Sequence, residues 1–249
     1  MELIILGSGT AIPSPRRGSP GLSVQAAGEY LLFDGGSGTL RSLARAGISF
    51  TDLDRIFYTH LHPDHTGDLV PLLFALRNPD YPRLKPLLLY GPRSFQAFYE
   101  KLQAAYGQWI APVNYEPIMA ELEEKAVEGE GLRVIPTSVQ HIKDSLAYRV
   151  EAEGRSLVFS GDTAYCESLV ELAKGADLLV LECSFPDEWP NRLHLTHSEA
   201  GAIAALSGCR RLVLTHFYPI CDRYDIVSQC RKSYDGEVIV AEDLMRITV

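Results

Sequence analysis

The residues best suited to chemistry lie in one short stretch, Thr59–Gly67, which holds three imidazoles and one carboxylate within six positions. The stretch directly follows a short apolar run that is typical of a buried strand. His60, His62 and Asp64 alternate, so they share a face while the chain stays extended, and His65 turns to the other side. A strand end can bring such side chains to one point, where they suit borderline metals such as zinc. We therefore expect two ions side by side, each held by its own part of this loop.

Three more candidate groups follow strand-like runs much later in the chain. They are His141, Asp162 and His216. Gly161 precedes the aspartate and would let the backbone turn tightly there. Because the strands of stacked sheets can end at one edge, we expect these groups to meet the histidine-rich loop.

The composition is that of an ordinary globular protein. The chain has 249 residues, of which 46% are hydrophobic and 22% charged. Its net charge of −9 argues against a protein that depends on non-specific attraction to nucleic-acid phosphates. Five scattered cysteines without a CxxC pair predict reduced thiols and a cytoplasmic protein. The first apolar run, Leu3–Leu6, is too short for a signal peptide, and no run has membrane-spanning length.

Strands alternate with helices in both halves of the chain. This order predicts an α/β protein, an αββα sandwich of two mixed β-sheets packed face to face with helices outside, folded as a single domain over residues 1–249. The sequence predicts six helices: Ser37–Ala46 with Ser37 as its cap, Asp68–Arg77 with Asp68 as its cap, Ser94–Tyr106, Thr163–Lys174, Ser198–Leu206 and Ile226–Ser233.

The pattern of these residues resembles the metallo-β-lactamase superfamily. The resemblance is carried, in chain order, by His60-x-His62-x-Asp64-His65, His141, Gly161-Asp162-Thr163 and His216. The opening Leu6–Ser14 and the turn Asp34-Gly35-Gly36 are similar to the ribonuclease Z-like branch. Aspartate instead of cysteine at position 162 differs from the true β-lactamases. Histidine at position 62, where the di-iron flavoproteins have glutamate, favours hydrolysis over redox chemistry.

The resemblance implies two metal sites. One would be formed by His60, His62 and His141, and the other by Asp64, His65 and His216, with Asp162 bridging them. Neutral imidazoles leave an ion electrophilic, so that bound water loses a proton near neutral pH. A bridging carboxylate holds two ions about 3.5–4 Å apart with a hydroxide between them. We expect two divalent ions, zinc in the first place, with manganese and iron as alternatives.

The resemblance also implies an additional active-site histidine, which opens a His-x-Thr run before a helix. His194 matches this position and would stabilise a developing negative oxygen or protonate the leaving group. Glu182, at the end of a strand, would orient it. His197 is the competing candidate. With Asp64, His194 and Glu182 form the predicted catalytic set. Asp34 is either an acceptor that supports the metal loop or a simple turn residue.

Two metals and an additional histidine suit in-line attack on a phosphodiester. Ribonuclease Z proper adds a long arm that grips transfer RNA, but only 21 positions separate His141 from Asp162 here, which fits one hairpin turning at Glu153-Gly154. We therefore expect a phosphodiesterase for a small or flexible substrate, such as a cyclic nucleotide or a short oligonucleotide. The alternatives are a ribonuclease Z-type transfer RNA 3′ endonuclease and a hydrolase of an aryl sulfate, lactone or thioester.

Some interpretations stay open at this stage. A metal-holding scaffold or sensor without turnover is the hypothesis from another class, and the intact ligand set argues against it. The resemblance suggests a homodimer, and no membrane partner is expected. Arg16 and Arg17 could meet an anionic ligand or belong to a solvated loop. The aromatic stretch that begins at Trp109 and includes Tyr115 and Met119 could line a substrate cleft or belong to the core.

Overall fold

The computed structural model describes all residues, Met1–Val249. Fourteen strands pair into two seven-stranded sheets. The strands are β1 (Glu2–Gly7), β2 (Gly21–Ala26), β3 (Glu29–Phe33), β4 (Leu53–Phe57), β5 (Leu87–Gly91), β6 (Pro117–Glu121), β7 (Val127–Gly129), β8 (Leu132–Ser138), β9 (Leu146–Ala152), β10 (Arg155–Phe159), β11 (Leu178–Glu182), β12 (Arg211–Thr215), β13 (Glu237–Val240) and β14 (Arg246–Thr248).

Both sheets are mixed. The first has the order β14-β1-β2-β3-β4-β5-β6 and becomes parallel from β3 onward. The second has the order β13-β12-β11-β10-β9-β8-β7, and its strands from β10 to β13 are parallel. The carboxyl ends of parallel strands meet at one edge of a sheet, so β4, β10, β11 and β12 each deliver a loop to such an edge.

Six helices cover the outer faces of the sheets: α1 (Thr39–Arg45), α3 (Leu69–Ala75), α4 (Phe95–Tyr106), α5 (Glu167–Leu172), α6 (His197–Ser207) and α7 (Ile226–Cys230). The short helix α2 (Pro63–Thr66) lies in the histidine-rich loop after β4. One apolar cluster lies between the sheets, where Phe33, Phe57 and Tyr148 pack together. A second joins sheet two to α5–α7, and a third joins sheet one to α1, α3 and α4. The predicted αββα sandwich of two mixed sheets is confirmed.

Three of the predicted helix boundaries are wrong in instructive ways. Ser37 does not cap α1, whose N-cap is Gly38. The side chain of Asp68 does not cap α3 either, although Asp68 precedes it. Its carboxylate instead accepts hydrogen bonds from the N–H groups of Gly38 and Leu40, at 3.1 and 2.8 Å, and so caps α1 from a distance. The helix predicted from Thr163 begins only at Glu167, the first residue of α5. The N–H groups of Thr163 and Ala164 bond instead to Glu182 and to the carbonyl of Gln140, outside any helix.

The segment between His141 and Asp162 is the hairpin of β9 and β10, which turns at Glu153-Gly154 as predicted. It leaves no length for an inserted arm. Strands β6 and β14, at the edges of sheet one, are not evident from the sequence pattern. None of the helices combines the length and the apolar character needed to cross a bilayer.

We expect Asp68→Ala to lower the free energy of unfolding by about 1–2 kcal/mol, because two N–H groups at the start of α1 lose their acceptor. Urea denaturation followed by circular dichroism measures the change. Asp235→Ala is the matched control, since Asp235 is exposed and makes no side-chain hydrogen bond or ion pair. Equal stability of the two variants would contradict the capping role.

Candidate metal centre

The histidine-rich loop leaves the sandwich at the end of β4. His60 and His62 stay in extended backbone, and His62 is the N-cap of the short helix α2. Pro63 occupies the first helical position, where its missing N–H costs nothing. Asp64 and His65 therefore lie on a helical turn, which directs them away from the first two histidines. This change from strand to helix divides the loop into two groups of ligand candidates.

The second sheet brings three further groups to the same place. His141 follows β8, Asp162 follows β10, and His216 follows β12. Gly161 has a left-handed φ of 57°, and a Cβ there would lie 2.7 Å from the Cβ of Thr59. Only glycine fits this close approach between the two sheets. All the predicted ligand positions lie together, in clusters whose ligand atoms are within 4.8 Å of one another.

One group joins His60, His62 and His141. The Nε2 atom of His60 lies 3.0 Å from Nδ1 of His62, which lies 3.3 Å from Nε2 of His141. Nitrogens at tetrahedral positions about 2.0–2.1 Å from a zinc ion are about 3.3–3.4 Å apart. Oδ2 of Asp162 lies 3.8 Å from Nε2 of both His60 and His141. The four atoms surround a volume of the size that one such ion needs.

A second group joins Asp64, His65 and His216. Oδ2 of Asp64 lies 3.8 Å from Nε2 of His65 and 3.7 Å from Nε2 of His216. Oδ1 of Asp162 lies 3.3 Å from each of these two nitrogens. Asp162 thus directs one oxygen to each group, as a bridging carboxylate does.

The unpaired buried atoms of this cluster fit divalent cations. Nε2 of His65, Nε2 of His216 and Oδ1 of Asp162 are buried and have no hydrogen-bond partner. Burial lowers the pKa of His60 well below its usual value, and burial also lowers the pKa of His141. These imidazoles are therefore neutral near pH 7, with lone pairs available for a metal. Buried lone pairs that converge without donors are costly unless a cation binds them.

Four of the five candidate histidine ligands are held through their second ring nitrogen. In the loop after β4, Nδ1 of His60 lies 3.0 Å from Oγ1 of Thr59, and Nδ1 of His65 lies 2.8 Å from Oδ2 of Asp34. In sheet two, Nδ1 of His141 lies 3.0 Å from the carbonyl oxygen of Leu193, and Nδ1 of His216 lies 2.9 Å from Oγ of Ser184. Such bonds fix the orientation and the tautomer of a metal-binding imidazole.

Asp34 is an acceptor that supports the metal loop rather than a simple turn residue. It is fully buried, and besides His65 it accepts hydrogen bonds from the N–H and the hydroxyl of Thr59. Asp34 and His216 both have positive φ, 57° and 60°. Left-handed backbone at non-glycine residues is costly and is found most often at functional sites. The sequence signals for Asp34 were its place after a strand and the two following glycines.

His194 lies beside the cluster, and His197 does not. Nδ1 of His194 is 2.8 Å from Oε1 of Glu182 and 3.9 Å from Oδ2 of Asp162. His197 instead begins α6, and its Nδ1 bonds to Gln229 at 2.8 Å. Burial lowers the pKa of His194, but the hydrogen bond and the charge of Glu182 outweigh it, so that this pKa is raised.

Glu182 is fully buried at the end of β11 and is saturated with donors. Oε1 also accepts the N–H of Thr163, next to the bridging Asp162, at 2.8 Å. Oε2 accepts the hydroxyl of Ser184 at 2.6 Å and the N–H of Leu195 at 3.2 Å. Glu182 therefore positions His194 directly and His216 through Ser184. No sequence motif marks Ser184 as a site residue.

An aromatic pair beside the cluster was also not identified from the sequence. Phe185 and Tyr218 stack with ring centroids 4.7 Å apart. The Tyr218 ring lies 6.0 Å from that of His194 and 6.2 Å from that of His216. Phe185 directly follows Ser184, and Tyr218 lies two positions after His216. The pair forms an apolar wall on one side of the site.

The residues suggested as a substrate cleft lie elsewhere. Trp109 packs edge-to-face on Phe74 of α3, with centroids 6.2 Å apart. Tyr115 and Met119 pack against the apolar cluster between sheet one and its helices. Of the two suggested roles, substrate cleft or core, the core is therefore the correct one for Tyr115 and Met119. Cys183 and Cys221 are buried, as expected of packing residues.

Comparison with known proteins agrees with this geometry. A family model described as a beta-lactamase superfamily domain matches residues 29–217. The chain belongs to the metallo-β-lactamase superfamily. Ribonuclease Z of Streptomyces avermitilis is 31% identical over 296 aligned residues, which cover 100% of this chain and 97% of that protein. Within the superfamily, the chain is therefore ribonuclease Z-like, as the sequence motifs indicate.

Solved structures of the superfamily support the same relationship. The short form of human tRNase Z has a TM-score of 0.80 and 27% identity, covering 100% of this chain and 99% of that one. The metallo-β-lactamase fold protein YhfI from Bacillus subtilis has a TM-score of 0.85 at 23% identity, covering 99% and 98%. As a member of the superfamily, this chain is a metal-dependent hydrolase that uses divalent ions.

We expect Asp34→Asn to weaken divalent-metal affinity about 10- to 100-fold, because His65 and Thr59 lose the carboxylate that orients them. Asparagine tolerates the left-handed backbone of position 34, so the fold is retained. Competition with a chromophoric chelator measures the affinity. Asp177→Asn is the control, since Asp177 bonds to Ser156 and Arg155, away from the cluster. Affinity equal to that of the control would contradict the supporting role of Asp34.

Proposed function

We propose that this protein is a dinuclear, zinc-dependent phosphodiesterase of the ribonuclease Z type that cleaves single-stranded, flexible RNA. The observation that carries the proposal is the His194–Glu182 pair beside the seven candidate ligands, in a chain related over its full length to ribonuclease Z. The proposed ligands are those predicted above: His60, His62 and His141 at one ion, Asp64, His65 and His216 at the other, with Asp162 between them.

Divalent ions held by these ligands would supply an activated water as nucleophile and positive charge for the phosphate oxygens. The protein supplies the proton for the leaving oxygen. Because Nδ1 of His194 is engaged by Glu182, Nε2 is the nitrogen free to hold that proton. The raised pKa of His194 favours the protonated form needed for donation. The buried Glu182 carboxylate balances the charge of the imidazolium, and four N–H and O–H donors from Thr163, Ser184 and Leu195 hold it in place.

The shape of the site supports a flexible substrate. The hairpin β9–β10 occupies the segment between His141 and Asp162, so no arm is available to grip a folded RNA. The aromatic wall of Phe185 and Tyr218 offers a surface on which a nucleobase can stack beside the scissile phosphate. The second candidate, favoured by the names of the relatives, is 3′ processing of transfer RNA precursors.

The proposal also includes where the protein acts and how its chain is organised. All five cysteines are free and buried, which supports a reducing compartment such as the cytoplasm. The whole chain, residues 1–249, is proposed to act as one domain, because the core between the sheets draws on both halves. The homodimer suggested by the resemblance stays a prediction.

His194→Ala is expected to lower kcat for bis-p-nitrophenyl phosphate or RNA by about 10²–10⁴-fold, because the proton donor is lost. His197→Asn is the matched control, a histidine only three positions away that bonds to Gln229 instead. It should keep nearly full activity. Metal content measured by mass spectrometry should be the same in both. A similar loss of kcat in the two variants, or full activity of His194→Ala, would contradict the assignment of His194 as the proton donor.

The choice between the two RNA substrates is tested by direct competition. We expect zinc-loaded protein to cleave a short single-stranded RNA with a higher kcat/KM than a transfer RNA precursor with a 3′ trailer, because no arm holds the folded part. Gel electrophoresis of the products from both labelled RNAs measures the ratio. Preference for the precursor would establish the second candidate. No turnover of any phosphodiester with zinc, manganese or iron would overturn the proposed function.

A further inference from the structure

A groove of about 640 Å³ lies next to the metal loop, between α1 and the loop after β1. Arginines dominate its charge: Arg16, Arg17, Arg41 and Arg45 line it. The whole chain carries a net charge of −9, so four guanidinium groups in one place differ from the acidic character of the protein as a whole. We propose that this groove binds the phosphates of an RNA strand beyond the scissile bond, with Arg41 and Arg45 as the binding residues. This inference rests on the proposed function.

Two of the four arginines are already occupied by the protein. Arg16 forms an ion pair with Asp222. Arg17 donates to the hydroxyl of Ser8 at 3.0 Å and to the carbonyl of Ala241 at 2.7 Å, and it lies over the ring of Phe217. Arg16 and Arg17 therefore line the groove but spend their guanidinium groups on contacts that hold the loop in place, so the anionic ligand suggested for them from the sequence is assigned to Arg41 and Arg45 instead.

Arg41 and Arg45 have no such partners. Both are exposed on α1, and no carboxylate lies within 4.0 Å of either guanidinium. They are four positions apart on the helix, so they face the same way, and like charges at this spacing destabilise a helix. Two adjacent, unpaired guanidinium groups at the rim of a groove suit phosphate oxygens, which they can bind with paired N–H donors.

The groove has a fixed position relative to the metal loop. A Cβ built on Gly36 would lie 2.0 Å from the carbonyl oxygen of Asp64 and 2.6 Å from Cβ of Ser19, which lines the groove. Asp68, directly after the metal loop, caps the start of α1 through Gly38. The helix that carries the free arginines is thus attached to the loop that carries the candidate ligands. A strand with one phosphate at the metals can place its next phosphates in the groove.

The groove also contains carboxylates, so variants can remove negative charge from it as well as positive charge. Asp243 is occupied by Ser8 and Gly18, whose N–H groups it accepts at 2.9 and 2.7 Å. Glu242 is exposed and makes no ion pair. It would repel a phosphate in the groove. Removing the charge of Glu242 should therefore strengthen binding, while removing the charges of Arg41 and Arg45 should weaken it.

The experiment measures binding of a fluorescent 12-nucleotide single-stranded RNA by anisotropy over a range of KCl concentrations. All variants are made in zinc-loaded His194→Ala protein, so that RNA is not consumed. The double variant Arg41→Gln/Arg45→Gln should weaken binding about tenfold or more at low salt and reduce the slope of log K against log [KCl] by about 1.4, since each phosphate contact to a single strand contributes about 0.7. Glu242→Gln should tighten binding by a few-fold.

The matched control is Lys101→Gln/Arg231→Gln, which removes two exposed, unpaired positive charges outside the groove. It should leave both affinity and salt slope within error of the parent. In protein with His194 intact, Arg41→Gln/Arg45→Gln should raise KM for RNA but leave kcat/KM for bis-p-nitrophenyl phosphate unchanged, since that substrate has a single phosphate. A melting temperature for each variant shows whether the changed end of α1 has affected the fold.

The outcomes separate this inference from the proposed function. Equal effects of the double variant and the control, or a weaker complex with Glu242→Gln, would overturn the groove while phosphodiester turnover remained. An equal loss with RNA and with bis-p-nitrophenyl phosphate would also overturn it, because the arginines would then act on the metal loop. RNA bound in the groove without turnover of any phosphodiester would overturn the proposed function and leave the groove in place.

Discussion

The arrangement of the site depends on the buried carboxylate of Asp162. Its two oxygens face two different groups of nitrogens, at 3.3 Å on one side and 3.8 Å on the other. A carboxylate buried among lone pairs is strongly unfavourable unless positive charge lies between them. Burial alone would raise the pKa of Asp162, but its interactions with the surrounding imidazoles outweigh burial and hold this pKa well below its usual value. Bound divalent cations provide that charge while the imidazoles remain neutral.

The same constraint explains why the two sheets must pack in one register. Each group combines candidate ligands from the loop after β4 in sheet one with partners from the ends of β8, β10 and β12 in sheet two. Gly161 lets the sheets approach at Thr59, and Tyr148 of sheet two donates its hydroxyl to the carbonyl of Tyr58, just before the metal loop, at 2.7 Å. A shift of either sheet would separate the ligand groups. Cations bound by these candidate ligands would therefore link the two halves of the sandwich.

The sequence is sufficient to predict the fold class and which histidines and aspartates come together at the cluster, because both leave local patterns. Histidines at alternating positions after an apolar run, and a Gly-Asp pair after another, can be recognised without coordinates. Long-range polar contacts leave no such pattern. Asp68 caps a helix that begins 30 positions earlier, and the sequence alone assigns it to the helix that follows. Ser184 bonds to His216, 32 positions away, and has no neighbouring residue that marks it.

The choice between His194 and His197 shows where the limit lies. Both histidines flank the same threonine before α6, and both ring Nδ1 atoms have a polar partner. The difference is the partner: Glu182 is charged and lies at the carboxyl end of a parallel strand beside Asp162, whereas Gln229 is neutral and belongs to α7. A charged partner stabilises a protonated imidazole more than a neutral one does, so the pKa of His194 is raised despite burial, whereas burial lowers the pKa of His197. The protonation of His194 thus depends on Glu182 of β11, a residue that lies 12 positions earlier in the sequence and is brought to the histidine by the fold.

An acidic protein that acts on a polyanion must hold its positive charge locally. Long-range attraction is weak for a chain with a net charge of −9, and exposed charges are screened beyond about 8–10 Å at ordinary salt concentrations. Two ions at the cluster and two free guanidinium groups on the adjoining helix would act within that distance of a bound strand. Recognition then depends on where a phosphate lies relative to α1 and the metal loop, and the bulk charge of the protein discourages binding elsewhere on its surface.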